Sequence, residues 1–176
     1  MLPRHKERAV KIYASSDHAG VDLRKALVTA LRNRGIDVDD RGPASAAPTD
    51  YPDEAVRIGR LVLAHPESRG LLVCGSGIGV CMAANRLSGV RAVDAWNIDS
   101  ARLSRAHNDA NVLCLGARLV SESEAVAILD TWLTTAFEGG RHATRVHKID
   151  ALTVIGSREA KGPIPTVTAG FDPQRP

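Results

Sequence analysis

Residues 71–86 read LLVCGSGIGVCMAANR, and they predict a buried strand, a glycine-rich turn and a helix in direct succession. The apolar run that ends at Cys74 is typical of a parallel strand covered on both faces. Residues 80–84 begin the next helix, so residues 75–79 form the turn between the two elements. This order is typical of α/β proteins, in which each strand is followed by a helix that crosses back over the sheet.

The glycine turn is a candidate for chemistry because it places a thiol beside unpaired backbone amides. Such amides at the start of a helix favour phosphate, carboxylate or a developing enolate. They also favour the thiolate form of Cys74, with the Ser76 hydroxyl as a further donor. The turn lacks the G-x-G-x-x-G order of a dinucleotide site and the lysine of a P-loop. A proton-transfer site and a buried structural cysteine both remain open interpretations.

Length and composition favour a single domain without membrane or nucleic-acid partners. A chain of 176 residues can bury about 70% of its unfolded surface. Its three cysteines form no C-x-x-C pair, which favours a reducing, cytoplasmic setting over disulfides or a zinc module. We expect no signal segment or membrane span, since the N-terminus is charged and no apolar run is long enough. A net charge of +3 and 3% aromatic residues exclude a stacking platform for single-stranded nucleic acid.

The rest of the chain continues the alternation of strands and helices. Strands are expected at residues 9–14, 36–38, 70–74, 90–95 and 112–115. Helices are expected from Leu23 to Gly35, from Pro52 onward, over 80–84 and 99–107, and from the Ser121–Glu124 capping box to Ala136. This predicts an α/β fold with a five-stranded parallel sheet, in one domain over residues 1–155, and an extended proline-containing tail over 156–176.

Polar groups that could bind a ligand accompany the predicted elements. Asp17 follows the first strand and is either a helix N-cap, a ligand-binding group or both. His107 precedes the last strand and is either part of a site or simply solvated. Arg141 and Arg145 share a face if their segment is helical, where they could bind phosphate or form exposed ion pairs. Because ligands bind beyond the carboxyl ends of parallel strands, we expect all these groups at that edge of the sheet.

Read together, four motifs resemble the ribose-5-phosphate isomerase B family over about residues 11–150. They are SDHAG at 16–20, DYP at 50–52, CGSGIG followed by AAN at 74–85, and HNDANVL at 107–113, and they occur in the family's order. The resemblance implies a Rossmann-like three-layer α/β/α sandwich that forms a homodimer or a tetramer, with each active site shared between subunits. It also implies that no metal or cofactor is required.

The resemblance further implies a reaction and a role for each matched residue. The reaction is the interconversion of D-ribose 5-phosphate and D-ribulose 5-phosphate, through ring opening and a cis-enediolate, in the non-oxidative pentose phosphate pathway. Cys74 would be the base, assisted by Ser76, and the enediolate oxygen would lie against the amides of Gly75, Gly77, Ile78 and Gly79. His107, with Asp17, would open the furanose ring. Tyr51 and Asn108 would position hydroxyls, His18 and Arg118 would bind the phosphate, and Arg141 and Arg145 would do so from the neighbouring subunit.

Several alternatives remain open at this stage. The substrate could be allose 6-phosphate or erythrulose 4-phosphate, whereas the galactose 6-phosphate branch is less favoured. A non-catalytic sugar-phosphate sensor would need neither Cys74 nor His107, and a flavodoxin-like nucleotide-binding module would not explain the arginines. The chain departs from the commonest family pattern at Ser15 and at Trp96-Asn97. Cys81 lies where a subgroup of the family carries an acidic base, and we expect it to belong to the core.

Overall fold

The computed structural model describes residues 10–152 of the chain. Five strands form one sheet in the order β2-β1-β3-β5-β4, and every neighbouring pair is parallel. The predicted five-stranded parallel sheet is therefore confirmed. The start of the first predicted strand at Ala9 and the predicted tail at 156–176 lie outside the described residues.

The elements follow each other as the sequence predicts, with small shifts of their ends. The strands are β1 (Ile12–Ser16), β2 (Val38–Asp40), β3 (Arg69–Cys74), β4 (Ala92–Asp94) and β5 (Val112–Gly116). The helices are α1 (Val21–Asn33), α2 (Tyr51–Ala64), α3 (Ile78–Ala84), α4 (Ile98–Asn108), α5 (Glu122–Thr134) and α6 (Arg141–Leu152). A short 3₁₀ turn, His18–Gly20, precedes α1. The Ser121–Glu124 capping box is present, and a second box, Asn97–Ser100, begins α4.

Alternate strand residues divide the interior into two cores, one on each face of the sheet. Leu71 and Val73 pack with α1, α4 and α5, whose largest contribution is the fully buried Trp132. Leu72 and Cys74 face the other way and pack with α2 and α3. This period of two, with both faces covered by helices, produces the predicted three layers.

The strand order distinguishes this sheet from the flavodoxin-like arrangement 2-1-3-4-5. Here β5 lies beside β3 and β4 takes the edge position. The connection from β3 through α3 to β4 therefore skips one strand position. The chain then returns through α4, and β5 fills the position between β3 and β4. The flavodoxin-like alternative weighed from the sequence does not fit this order.

Strand polarity gives the molecule two chemically distinct edges. Cys74, Asp94 and Gly116 end their strands at the carboxyl edge. Arg69, Ala92 and Val112 begin theirs at the amino edge, where the helices that precede each strand must end. No helix within residues 10–152 is long and apolar enough to cross a membrane.

Gly20 provides a test of how closely the first turn approaches the central strand. A Cβ atom on Gly20 would lie 2.6 Å from the carbonyl oxygen of Val73, which is backbone and cannot move aside. We expect Gly20→Ala to lower the free energy of unfolding by about 2 kcal/mol in urea titrations. Gly35→Ala is the matched control, because Gly35 has open space and only an unfavourable φ of +74°. Its expected loss is about 1 kcal/mol, and an equal loss in both variants would contradict the close-approach explanation.

Candidate active site

The Cys74 thiol lies at the carboxyl end of β3 under the glycine turn. The Gly77 backbone N–H donates a hydrogen bond to its Sγ atom over 3.1 Å, and the residue is 4% exposed. Gly77 has φ +80°, a conformation that favours glycine, and a side chain there would collide with the Asp94 carboxylate. The turn thus supplies an amide to the sulfur, as expected from the sequence.

The end of β5 holds the glycine turn in place. The Ala117 N–H donates to the Cys74 carbonyl over 2.8 Å, and the Arg118 N–H donates to the Gly75 carbonyl over 3.0 Å. A Cβ atom on Gly116 would lie 2.6 Å from the Ser76 carbonyl, so only glycine allows this approach. The Arg118 guanidinium lies against Gly75, which brings a positive charge to the glycine turn.

Three further predicted residues lie at the same edge. Asp17 is 6% exposed, and its Oδ1 accepts hydrogen bonds from the N–H groups of Ala19 and Gly20 over 2.9 and 3.0 Å. Its predicted capping role is therefore confirmed. His18 is exposed at the start of this turn, with its Nδ1 3.5 Å from the Thr49 N–H. Tyr51 begins α2, and its ring lies directly over Gly79.

Sequence reasoning missed the buried charges that support this edge. Ser15 donates from Oγ to the Glu54 carboxylate, and Glu54 is 3% exposed. Arg24 is 1% exposed, donates to Ser16 Oγ over 2.8 Å and pairs with Asp40 over 3.0 Å. Glu54 and Arg24 both lie on helices, and from the sequence alone a charged helical residue is expected to face solvent. The signal in the sequence was the pair Ser15 and Ser16 at the end of an otherwise apolar strand, because buried hydroxyls need hydrogen-bond partners.

Asp94 is an unexpected buried carboxylate beneath the glycine turn. Both of its oxygens are shielded from solvent, and within residues 10–152 neither has a hydrogen-bond partner at normal distance. Burial raises the pKa of Asp94, and the Trp96 side chain opposes this shift. The neighbouring Cys114 is fully enclosed, and burial raises its pKa well above the ordinary thiol value. Cys81 is half-buried on α3 against these groups, consistent with the core role expected for it.

The remaining predicted residues lie at the opposite edge of the sheet, and the expectation that they share the carboxyl edge is wrong. Helix α4 starts after the carboxyl end of β4 and runs back, so His107 and Asn108 on its last turn lie at the amino edge. Asn111, three residues on, accepts a hydrogen bond from the Gly70 N–H at the start of β3 over 2.9 Å. Arg141 and Arg145 lie on a helix, α6, which packs on α4.

The two groups of residues are therefore separated by the length of the strands. Strands of five or six residues span about 17–20 Å, and a rigid sheet cannot fold one edge onto the other. The group at the carboxyl edge consists of Cys74, Ser76, Asp17, His18, Tyr51 and Arg118. The group at the amino edge consists of His107, Asn108, Arg141 and Arg145. Within the described part of one chain, the predicted site exists as two halves.

The amino-edge half is built on a rigid turn after α4. Asp109 adopts the left-handed conformation with φ +47° and pairs with Arg91 over 2.8 Å and Arg105 over 2.7 Å. The His107 and His142 rings stack in parallel with centroids 4.2 Å apart. Both rings lie beside Glu138, whose Oε2 is 3.6 Å and 3.7 Å from their Nε2 atoms. This half therefore holds an imidazole pair next to the arginines of α6.

Comparison with known proteins places the whole α/β domain in one family. The ribose/galactose isomerase family profile matches residues 12–149. A probable ribose-5-phosphate isomerase B of Mycoplasma pneumoniae is 45% identical over 80% of this chain and 93% of the relative. Ribose-5-phosphate isomerase B of Escherichia coli K12 is 43% identical over 81% of this chain and 95% of its own.

Solved structures agree with these sequence relationships. Ribose-5-phosphate isomerase B of Clostridium thermocellum superposes with a TM-score of 0.80 at 43% identity, covering 81% of this chain and 97% of that one. The Mycoplasma genitalium enzyme, solved with bound ribulose 5-phosphate, gives a TM-score of 0.79 at 41% identity, covering 82% and 97%. The predicted family and fold are confirmed by these matches.

Asp94 generates a prediction about stability and pH. A carboxyl whose pKa is raised in the folded state destabilises the fold once it ionises, and this penalty disappears below the unfolded value of 3.8. We expect Asp94→Asn to raise the free energy of unfolding at about pH 7.5 by at most about 1 kcal/mol, and to have little effect at about pH 4. Urea titrations at both pH values measure the difference. A gain that is larger at the acidic pH would contradict this account of Asp94.

Proposed function

The chain belongs to the ribose/galactose isomerase family, and we propose that it interconverts D-ribose 5-phosphate and D-ribulose 5-phosphate. The observation that carries this proposal is the Cys74 sulfur, which is buried at the end of β3 and bonded to the Gly77 amide. Relatives at 43–45% identity, matched over 93–95% of their own length, carry the name ribose-5-phosphate isomerase B or probable ribose-5-phosphate isomerase B. A family member that binds ribulose 5-phosphate shares the fold at a TM-score of 0.79.

Cys74 would transfer the proton between the two reacting carbons. Its thiolate takes the proton from C2 of the open-chain aldose, which leaves an enediolate with negative charge on the oxygen of C1. The proton returns to C1, and the hydroxyl proton of C2 passes to O1, so the ketose forms without any external oxidant. Backbone amides of the glycine turn and the Ser76 hydroxyl would stabilise the oxyanion, at about 3 kcal/mol for each well-placed donor.

The groups around the thiol would hold the remaining atoms of the sugar. Arg118 and His18 would bind the phosphate, and Tyr51 would position a hydroxyl next to the turn. Phosphate binding far from the reacting carbons orients the chain for proton transfer. Asp17 Oδ1 already accepts hydrogen bonds from two backbone amides, so Oδ2 would be the oxygen that contacts the substrate.

Ring opening would be performed by a second copy of the chain. His107 would move a proton at the ring oxygen, Asn108 would position a hydroxyl, and Arg141 and Arg145 would complete the phosphate site. Since these groups lie at the amino edge, they can approach Cys74 only from another subunit. We therefore propose a homodimer in which each site combines the carboxyl edge of one subunit with the amino edge of its partner.

The same geometry leaves the length of the sugar open. Allose 6-phosphate and erythrulose 4-phosphate carry the same reacting carbons and a terminal phosphate, so the pocket depth decides among them. A sensor would have no use for a thiol under a glycine turn or for an imidazole pair. Three unpaired thiols at Cys74, Cys81 and Cys114 also support a reducing compartment, and we propose the cytoplasm.

Turnover of the three sugar phosphates by the purified chain tests the proposed reaction. We expect Cys74→Ala to lower kcat at least about 10³-fold on ribose 5-phosphate, because the variant lacks the base proposed to take the C2 proton. Cys81→Ala is the matched control and should keep most activity, since its thiol lies against Ala92 and Asn85. Equal losses in both variants, or binding of all three sugars without turnover, would refute the assignment.

Complementation between two inactive variants tests the shared site. Cys74→Ala and His107→Asn should each be inactive alone, but a mixed dimer would contain one intact site with Cys74 from one subunit and His107 from the other. Random assortment makes half of the dimers mixed, each with one of two sites intact, so about a quarter of wild-type activity should return after co-refolding. Absence of any recovery in a sample shown to contain mixed dimers would contradict the shared site.

A further inference from the structure

The amino-edge half contains a cluster of three side chains, of which the proposed isomerase reaction uses only His107. His107 lies on the last turn of α4, Glu138 in the connection from α5 to α6, and His142 on the first turn of α6. The Glu138 N–H donates to the Ala106 carbonyl over 3.0 Å, which ties the connection to α4. One ligand atom from each of the three residues lies within 4.8 Å of the other two.

We propose that His107, Glu138 and His142 form a site for a divalent transition-metal cation, zinc in particular, whose binding inhibits the isomerase. Two imidazole nitrogens and one carboxylate oxygen are a donor set that suits zinc, and they leave coordination positions for water. Magnesium and calcium prefer all-oxygen sites and should bind poorly. The inhibitory part of this inference rests on the ring-opening role proposed for His107.

The separations within the cluster fit a shared metal better than hydrogen bonds. At 3.6 and 3.7 Å, the contacts from Glu138 Oε2 to the two Nε2 atoms are too long for good hydrogen bonds. Two ligands of a tetrahedral zinc ion, each about 2.1 Å from the metal, are about 3.4 Å apart. The two rings are nearly parallel, with planes 3° apart, so the more exposed ring turns before both Nε2 atoms bind one ion.

The three proposed ligands differ in how deeply they are buried. The His142 side chain is 8% exposed, whereas the His107 side chain is 35% exposed and is the ring that would turn toward a metal. The buried ring therefore fixes the position of the site, and the more exposed ring adjusts to the ion.

Metal binding and substrate binding would compete through two residues. Zinc on His107 removes the lone pair needed for proton transfer at the sugar ring. Arg141 Nε lies 3.5 Å from His142 Nε2 and must move away before a metal reaches that nitrogen. The zinc ion would thus displace a side chain that the phosphate also needs, so it should raise the apparent KM for the sugar phosphate.

Cobalt absorption and zinc inhibition test the proposal on the full-length, metal-free chain. We expect one Co²⁺ per chain, seen in its visible d–d bands and displaced by Zn²⁺ but not by Mg²⁺. Glu138→Gln and His142→Ala should each weaken Co²⁺ and Zn²⁺ binding at least about tenfold. The controls Glu122→Gln and His65→Asn alter exposed residues outside the cluster and should not change binding.

Turnover measured on the same proteins separates the possible failures. Zn²⁺ should inhibit the wild type by raising KM, and the concentration for half-inhibition should rise at least about tenfold in His142→Ala, relative to that variant's own uninhibited rate. Inhibition that persists in both cluster variants would place zinc elsewhere, as on Cys74, and overturn the proposal. Unchanged Co²⁺ binding in both variants, or binding without inhibition, would overturn it as well. Cluster-dependent metal binding by a chain with no isomerase activity would refute the proposed function and the inhibition, and support the site itself.

Discussion

The parallel pairing of β3 with both β1 and β5 is the constraint on which the other features depend. A central strand hydrogen-bonded on both sides has its backbone fully satisfied, so it can be apolar on both faces and completely buried. Parallel neighbours require every connection to return across the sheet, which places the helices in two outer layers. The same polarity puts the strand ends that carry Cys74 and Gly116 at one edge, and the ends of the returning helices at the other.

Much of this architecture follows from the sequence because buried parallel strands have few alternatives. The run that ends at Cys74 and the glycines after it define β3, the turn and α3 almost to the residue. Predictions were weaker where tertiary partners decide the structure. Strand β1 continues through Ser15 and Ser16, which are buried only because Glu54 and Arg24 reach them from two different helices. Such long-range hydrogen bonds have no signature in local sequence.

The candidate site shows a different limit. Residue types and motif order grouped these side chains into one predicted site, and all of them were expected at one edge of the sheet. His107 ends the helix that leads into β5, so strand polarity alone assigns it to the amino edge, and this signal was present in the sequence. Asp94 could not have been found in the same way, because a single aspartate at the end of a short strand reads as solvent-exposed. Its enclosure depends on Gly77 and Cys114, which are distant in sequence.

The shared site proposed above, built from opposite edges of one sheet, also has a consequence for assembly. A surface that binds a different surface on an identical molecule can propagate without end, which produces fibres. Propagation stops when the same two molecules make both contacts with each other. A two-fold axis perpendicular to the strands produces this arrangement. The two copies must then lie with their sheets running in opposite directions. Reversing one copy brings the carboxyl edge of each subunit against the amino edge of the other. The direction of the strands would therefore limit the assembly to two subunits.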